Sequence, residues 1–215
     1  MRLIFATGNA GKLREAREIL GQDVEVLSQA EAGIDEDVVE DGTTLEQNSL
    51  IKAGRIHELS GADCFADDTG LEVDALGGAP GVLSARYAAS LEGSGAESHD
   101  ALANMRRLLS ELSALGSGVS RRARFRTVVT LCLGGEYFSF EGEVAGSIGY
   151  GMKGDGGFGY DPVFIPDGFG GRTMAEISEE EKNSVSHRGR ALRAMAAFLA
   201  RYRSCRPGGA SPAGR

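Results

Sequence analysis

The stretch Leu3-Ile4-Phe5-Ala6-Thr7-Gly8-Asn9-Ala10-Gly11-Lys12 decides how the chain begins to fold. Its apolar start is typical of a short buried strand. A helix is predicted next, ending at Gly21, because apolar residues recur on one helical face: Leu13, Ala16, Ile19 and Leu20. A glycine-containing turn that opens a helix directs backbone N–H groups and the positive end of the helix dipole at an anion. With the charge of Lys12, this turn is a candidate phosphate site.

The turn is not a Walker A loop, which needs Gly in place of Ala6 and Ser or Thr in place of Leu13. That excludes a P-loop NTPase but not phosphate binding, and an ordinary strand–turn–helix connection fits the residues equally well. The segment 149–154 matches GxGxxG formally. It follows a predicted hairpin strand and opens no helix, so we do not expect a dinucleotide fold.

Strands and helices mix along the rest of the chain. Short strands are predicted at 24–27, 64–66, 72–76 and 162–165, a half-buried strand at 125–133, and a hairpin partner at 136–144 across Gly134-Gly135. Helices are predicted from a capping box at Thr43 to about Gly61, over 97–115, and around Leu192, Met195, Leu199 and Tyr202. The pattern predicts an α/β fold with a mixed sheet, in one domain over 1–203. We expect residues 204–215, rich in Gly and Pro, to be a disordered tail.

Composition narrows the function classes. The chain has 215 residues and a net charge of −8, which disfavours a duplex nucleic-acid binder. The apolar run near Met1 is too short for a signal peptide, and no run is long enough for a membrane span, so we expect a cytoplasmic protein. Cys64, Cys132 and Cys205 are far apart, without a CxxC pair, and the three His are scattered. This spacing predicts reduced thiols and no zinc site.

Paired carboxylates follow the strand predicted at 64–66. Two adjacent carboxylates such as Asp67-Asp68 are costly unless a cation joins them. Magnesium fits, because it binds one or two carboxylates together with substrate phosphates, and Glu40 supplies another carboxylate from an earlier loop. One Asp of the pair could activate water. On spacing alone, a solvated turn is the favoured alternative.

Aromatic rings lie in the glycine-rich segment 156–162. Phe158 and Tyr160 offer aromatic faces, and Asp161 offers a carboxylate. Stacking of a base on such a ring is worth ~1–3 kcal/mol in nucleic-acid sites. The alternative is a hairpin turn whose aromatic rings pack into the core.

Hydrogen-bond donors cluster in two further segments. Asn48 and Lys52 are four residues apart, so both project from one face of the predicted helix. Lys182, His187 and Arg188 come from two segments near the C-terminus and suit an oxygen-rich ligand edge or a phosphate. They could equally be surface charges at helix ends.

Together these segments resemble the inosine triphosphate pyrophosphatase family, from about residue 2 to residue 200. The resemblance rests on five blocks in the family's order: Thr7-Gly8-Asn9-x-x-Lys12, Glu40-x-Gly42 with Asn48-x-x-x-Lys52, Asp67-Asp68-Thr69-Gly70 running on to Arg86-Tyr87, Gly156 to Phe164, and Glu181-Lys182-Asn183-x-x-Ser186-His187-Arg188. Two departures are small: Ser49 stands where Ala is usual, and Thr69 where Ser is common.

The resemblance implies a function and a fold. An NTP would be hydrolysed to NMP and pyrophosphate by attack of water at the α-phosphate, with ITP, dITP or XTP as substrate and Mg²⁺ as cofactor. It implies a two-lobed domain whose central mixed sheet is flanked by helices, with the nucleotide between the lobes, usually as a homodimer. A pyrophosphatase for modified pyrimidines, a nucleotide sensor without catalysis and a nucleic-acid-binding module are the alternatives.

The resemblance also implies residue roles. Asp68 would be the general base and would bind Mg²⁺ with Glu40, supported by Asp67. The other implied contacts are to substrate, and they involve Thr7, Gly8, Asn9, Ala10, Gly11, Lys12, Asn48, Lys52, Thr69, Phe158, Gly159, Tyr160, Asp161, Lys182, His187 and Arg188. Among these, Phe158 would stack on the purine, and Lys182, His187 and Arg188 would recognise its 6-oxo edge.

Overall fold

The computed structural model describes residues 1–204, apart from the side chain of Asn183. The strands are β1 (Arg2–Phe5), β2 (Glu25–Ser28), β3 (Cys64–Val73), β4 (Pro80–Gly81), β5 (Arg122–Leu133), β6 (Glu136–Ile148) and β7 (Phe164–Pro166). The helices are α1 (Ala10–Leu20), α2 (Leu45–Ser60), α3 (Ala101–Ala114), α4 (Glu179–Ser184) and α5 (His187–Ser204). The tail predicted at 204–215 therefore begins on the last residue of α5, and residues 205–215 lie outside the described part.

One mixed sheet organises the chain, in the order β2-β1-β3-β5-β6-β7 with β4 paired to β3. β1 runs parallel to β2 and β3, and every other pairing is antiparallel. The parallel half is built from two strand–helix–strand units through α1 and α2, as parallel strands require a crossover. This confirms the predicted α/β class with a mixed sheet. Within residues 1–204, no helix is both long and apolar enough to cross a membrane.

The prediction of two strands at 64–66 and 72–76 is wrong, because β3 is one strand of ten residues. β5 pairs with it along its whole length, from Cys64 opposite Cys132 to Val73 opposite Ala123. Gly70 leaves room for β4 beside this strand, because a Cβ at this residue would lie 2.4 Å from the carbonyl oxygen of Gly81 on β4. The carboxylate pair therefore lies within a paired strand and not in a turn after it.

The prediction of a half-buried strand at 125–133 is also wrong over most of its length. Every residue of β5 from Thr127 to Leu133 is buried. Helices cover both faces of the strand: α1 and α5 pack on one side, and α2 packs on the other. Alternation of apolar residues stops being informative where a strand is covered on both faces.

Two parts of the core flank the carboxylates of β3. Phe65 belongs to the core around α1 and α5, and Leu71 belongs to a second core around α3 and the segment from Tyr160 to Ile177. The stretch 67–69 lies between them. The sheet thus places its polar residues at the junction of two apolar regions.

Three Ser/Thr-x-x-Glu sequences, at Thr43, Thr173 and Ser178, differ in how far they form capping boxes. Ser178 and Glu181 form a reciprocal box that opens α4, with hydrogen bonds of 2.9 and 3.2 Å. At Thr173 only half of a box forms: its backbone N–H donates to the Glu176 carboxylate at 2.8 Å, and no helix follows directly. The N-cap of α2 is Thr44, one residue later than the predicted Thr43. α3 likewise begins at Ala101 and not at 97.

Candidate functional site

The turn between β1 and α1 is held by Asn9. Its Oδ1 accepts hydrogen bonds from the backbone N–H groups of Gly11 (2.9 Å) and Lys12 (3.0 Å), and its own N–H donates to Thr7 Oγ1 (3.1 Å). Asn9 therefore caps α1 with its Oδ1. The substrate contact expected of Asn9 would have to be made by its side-chain NH₂ group. Residues 8–11 are exposed, and the positive end of the helix dipole opens to solvent there.

Asp67 is a buried carboxylate between two cations. Its Oδ1 lies 3.0 Å from Lys12 Nζ, and its Oδ2 lies 2.8 Å from Arg188 Nε. Burial by itself would raise the pKa of Asp67, but the charges of Lys12, Arg188 and Lys52 outweigh it and hold that pKa well below the usual range. Asp67 thus stays ionised and ties α1 and α5 to β3.

Asp68 has different surroundings, although it is the next residue. Burial raises the pKa of Asp68 above its usual value, and the nearby Glu40 carboxylate raises it further against the opposing charge of Lys52. Lys52 Nζ lies 3.0 Å from Glu40 Oε2 and 3.4 Å from Asp68 Oδ1. Two carboxylates that converge on one ammonium group can also converge on a metal ion, so Glu40 and Asp68 fit Mg²⁺, which prefers oxygen ligands.

Asn48 is fully buried, so the expected contact with substrate is replaced by an internal one. Its Oδ1 accepts from the N–H of Gly42 (2.9 Å), and its Nδ2 donates to Asp68 Oδ2 (3.3 Å). A Cβ at Gly42 would lie 2.6 Å from Asn48 Oδ1. Gly42 is thus part of the site, and its place directly after Glu40-Asp41 was the signal for it.

A line of hydroxyl groups leads from β3 to the start of α5. Thr69 Oγ1 lies 2.8 Å from Thr127 Oγ1, which lies 2.6 Å from His187 Nδ1. The His187 ring also stacks on Phe125, with centroids 5.2 Å apart. Burial, together with the charge of Arg188, lowers the pKa of His187 to about 3, so the ring is neutral. No sequence signal marks Thr127, which resembles an ordinary strand residue.

Arg188 is held by two carboxylates. Its Nε donates to Asp67, and its Nη1 lies 3.2 Å from Glu15 Oε2. These hydrogen bonds fix the plane of the guanidinium, which has five N–H donors in all. Arg188 therefore holds Asp67 in place and also offers further N–H donors in a fixed orientation.

The glycine-rich segment separates the two aromatic residues. Phe158 is 79% exposed and free to stack on a ligand, whereas Tyr160 is buried and donates its hydroxyl to the Ser84 carbonyl oxygen at 3.0 Å. The Tyr160 ring is thus part of the core and is not exposed for the substrate contact that the resemblance implies. Gly159 lies between the two, with a positive φ of 62°.

Asp161 organises the backbone beside Phe158. Its Oδ2 accepts from the N–H of Phe158 (3.0 Å) and pairs with Lys182 Nζ (2.9 Å). Gly157 has φ 80°, and a Cβ there would lie 2.1 Å from Asp161 Oδ2. The Asp161–Lys182 ion pair therefore supports the exposed Phe158. Only glycine at position 157 leaves room for this ion pair.

A cleft of about 190 Å³ brings together residues of the turn after β1 with Glu40, Lys52 and Asp67. It is lined by the predicted Thr7, Gly8, Lys12, Glu40, Lys52 and Asp67, and also by Gln29, Asp37 and Val38, which sequence reasoning missed. The acidic loop gave no pattern that distinguished Asp37 from its neighbours. Phe158, Asp161 and Lys182 lie outside this lining, as do His187 and Arg188 at the start of α5.

Comparison with known proteins gives a consistent assignment. The model of the Ham1 family matches residues 3–198. A protein of Porphyromonas gingivalis named dITP/XTP pyrophosphatase is 48% identical over 199 residues, which cover 92% of this chain and 97% of the relative. A protein of Geobacter sulfurreducens with the same name is 47% identical over 193 residues, covering 89% of this chain and 92% of the relative.

Solved structures agree with the sequence relatives. The Ham1 protein of Staphylococcus aureus superposes with a TM-score of 0.83 at 36% identity, covering 94% of this chain and 100% of that one. A structure from Mycobacterium abscessus, described as a nucleoside-triphosphatase / dITP/XTP pyrophosphatase, has a TM-score of 0.75 at 42% identity, covering 93% of this chain and 99% of that one. With a family model over most of its length and relatives of this identity, the chain belongs to the Ham1 family.

Proposed function

We propose that this protein hydrolyses noncanonical purine nucleoside triphosphates (ITP, dITP and XTP) to the monophosphate and pyrophosphate. The observation that carries the proposal is the Asp67-Asp68 pair on β3: Lys12 and Arg188 bind Asp67, while Asp68 and Glu40 converge on Lys52. These surroundings lower the pKa of Asp67 and raise the pKa of Asp68. Neighbouring carboxylates shifted in opposite directions can divide the work of binding charge and moving protons. The relatives named dITP/XTP pyrophosphatases support the substrate class.

The triphosphate is proposed to lie in the cleft. The exposed turn 8–11 and Lys12 supply N–H donors and positive charge, while Thr7 lines the wall. Asp68, with its raised pKa and its hydrogen bond from Asn48, is placed to take the proton of the attacking water. Lys52 balances the charge of the carboxylates until substrate enters.

Glu40 and Asp68 are the residues proposed to hold Mg²⁺. When bound, this ion would neutralise charge on the phosphate oxygens and orient them for in-line displacement. Asp67 does not fit the same role, because Lys12 and Arg188 already occupy both of its oxygens. Its proposed function is to hold those two cations in place.

The base is proposed to stack on Phe158 and to be recognised by Lys182, His187 and Arg188. A 6-oxo group accepts hydrogen bonds, so donors at this edge favour hypoxanthine and xanthine, whereas the amino group of adenine would face donors. Neutral His187 has its Nδ1 committed to Thr127, which leaves Nε2 for other partners. Because solvated edges weaken the penalty, we expect discrimination against ATP of roughly 10²-fold.

The homodimer and the cytoplasmic location implied by the family resemblance belong to the same proposal. The two thiols of the described residues are free and buried, which agrees with a reducing compartment. The net charge of −8 argues against a nucleic-acid partner. Sedimentation analysis of the purified chain would test the dimer directly.

Product analysis is the deciding experiment. ITP, dITP, XTP, GTP, ATP and a modified pyrimidine triphosphate would each be incubated with enzyme and Mg²⁺, followed by nucleotide separation and a pyrophosphate assay. We expect IMP and pyrophosphate from ITP and little product from ATP. IDP with orthophosphate would contradict attack at the α-phosphate. Preference for the pyrimidine, or tight binding without turnover, would replace the proposal with one of its alternatives.

A further inference from the structure

Three potential metal ligands from separate elements meet on the α2 side of the sheet. They are a ring nitrogen of His57 on α2 and the thiols of Cys64 on β3 and Cys132 on β5, and their ligand atoms lie within 4.8 Å of one another. Cys64 and Cys132 are direct partners in the β3–β5 register, and both are fully buried. We propose that His57, Cys64 and Cys132 form a three-ligand site for Zn²⁺.

The ligand set has the chemistry that zinc selects. Zn²⁺ binds thiolate sulfur at about 2.3 Å and imidazole nitrogen at about 2.0–2.1 Å in a tetrahedron, so neighbouring ligand atoms are roughly 3.5–4 Å apart. A spacing within 4.8 Å therefore needs only small side-chain movements. The oxygen ligands Glu40 and Asp68 suit Mg²⁺ instead, so the two sites would select different ions.

The imidazole of His57 is already oriented. Its Nδ1 lies 2.9 Å from the carbonyl oxygen of Ala62. A carbonyl only accepts hydrogen bonds, so Nδ1 carries the proton and Nε2 has a lone pair for a metal. A backbone carbonyl bonded to the second ring nitrogen is the usual way in which proteins orient a zinc-bound histidine.

The surroundings of the thiols provide support. Cys64 Sγ donates to the Ala53 carbonyl oxygen at 3.2 Å, which directs the thiol toward α2. Tyr137 lies opposite Cys132 across the β5–β6 register, and its side chain is 45% exposed. Water would complete the fourth position, and binding would release both thiol protons to solvent.

The spacing argument in the sequence does not cover a site of this kind, because it compares ligands that are close in sequence. Pairs such as CxxC place two ligands on one local turn, whereas residues 57, 64 and 132 meet only because β3 and β5 pair and α2 packs across them. A bound ion would tie these three elements together. Its effect would therefore appear as thermal stability, independently of nucleotide hydrolysis.

The test uses the full chain after dialysis against a chelator. Zn²⁺ would be titrated in excess Mg²⁺ with a chromophoric competitor, and Co²⁺ would be added separately to record sulfur-to-cobalt charge-transfer and tetrahedral ligand-field absorption. We expect one Zn²⁺ per chain, a higher Tm, and a thiolate spectrum with Co²⁺. His57→Gln and Cys132→Ser should each weaken Zn²⁺ binding at least about 100-fold, while Cys205→Ser, outside the described residues, should not.

Three results would overturn the site. They are no Zn²⁺ retained by the native chain, equal affinity in His57→Gln, and a Co²⁺ spectrum without sulfur charge transfer. His57 is only half-buried, so its variant tests the site even if Cys132→Ser fails to fold.

Discussion

Asp67 and Asp68 are consecutive residues on one strand, and their side chains point to opposite faces of the sheet. Asp67 meets Lys12 and Arg188 on one face, and Asp68 meets Asn48 and Lys52 on the other. Strand alternation thus gives one carboxylate a charge-pairing role and leaves the other free for proton transfer. This division of roles needs the pair to lie within β3, where the structure places it.

Replacement of Asp68 tests this division. We expect Asp68→Asn to lower kcat by roughly 10²–10⁴-fold, because a general base is lost, while nucleotide binding is retained. The measurement is initial-rate kinetics with ITP alongside binding by calorimetry. Asp74→Asn, an exposed acid just after β3, is the matched control. Near-native turnover in Asp68→Asn would remove this residue from the mechanism.

Gly157 offers a second test at the residue scale. An alanine there would clash with Asp161 and Lys182, so we expect Gly157→Ala to raise KM for ITP several-fold by disturbing the support of Phe158. Gly171→Ala has nearly the same positive φ (79° against 80°) with open space around it. Both variants carry backbone strain of about 1–2 kcal/mol, so only the clash distinguishes them. Equal KM values in the two would contradict the role of the ion pair.

Helix α5 reaches the site because β6 has a glycine, Gly142, where the helix packs against it. A Cβ at Gly142 of β6 would lie 2.1 Å from the His187 carbonyl oxygen and 2.6 Å from the backbone nitrogen of Ala191. The first turn of α5, which carries His187 and Arg188, therefore rests directly on the sheet. The close contact between α5 and β6, more than the identity of the two side chains, determines how near His187 and Arg188 lie to the sheet.

Gly142→Ala should push α5 away from β6. We expect a loss of about 1–3 kcal/mol in the free energy of unfolding, as for overpacked cores, with a higher KM for ITP. Urea denaturation and initial rates give the two values. Gly54→Ala is the control, since its Cβ would make only an ordinary contact of 3.6 Å with the Tyr137 hydroxyl, and alanine favours a helix. An unchanged midpoint in Gly142→Ala would show that α5 adjusts without cost.

At the scale of the whole molecule, keeping His187 neutral lowers the stability of the folded chain at low pH. The pKa of His187 falls from its ordinary 6.5 to about 3 in the folded chain. Between these values the unfolded chain binds a proton that the folded chain does not, so stability decreases as pH falls below about 6.5. This single residue therefore links the acid stability of the fold to the line of hydroxyl groups at the site.

We expect His187 to cost the native chain about 2 kcal/mol of stability between pH 7 and pH 5. His187→Gln should lose correspondingly less over the same interval, whatever its stability at pH 7. Urea unfolding at both pH values, with a common m-value, measures the difference. His99→Asn, an exposed histidine with a positive φ that Asn tolerates, should retain the native pH dependence. A parallel decrease in His187→Gln would contradict a buried neutral ring.

Local pattern was sufficient for features that depend on neighbours in sequence. The strand and helix around residues 3–20 and the Gly134-Gly135 turn need only apolar periodicity and glycine with positive φ, as the structure confirms. The mixed α/β class follows from the same patterns. The blocks of polar residues also marked most of the cleft lining, because chemistry restricts which side chains can serve a phosphate site.

Tertiary structure decided what depends on distant neighbours. It joined residues 64–73 into one strand, since β5 supplies partners along its whole length, and it buried β5 on both faces between helices. It turned Asn48 and Tyr160 inward and brought His57 to Cys64 and Cys132. Burial and long-range charge set the pKa of each group, and neither is present in the local sequence. The amino-acid order thus determined which groups are available, and packing determined their environment.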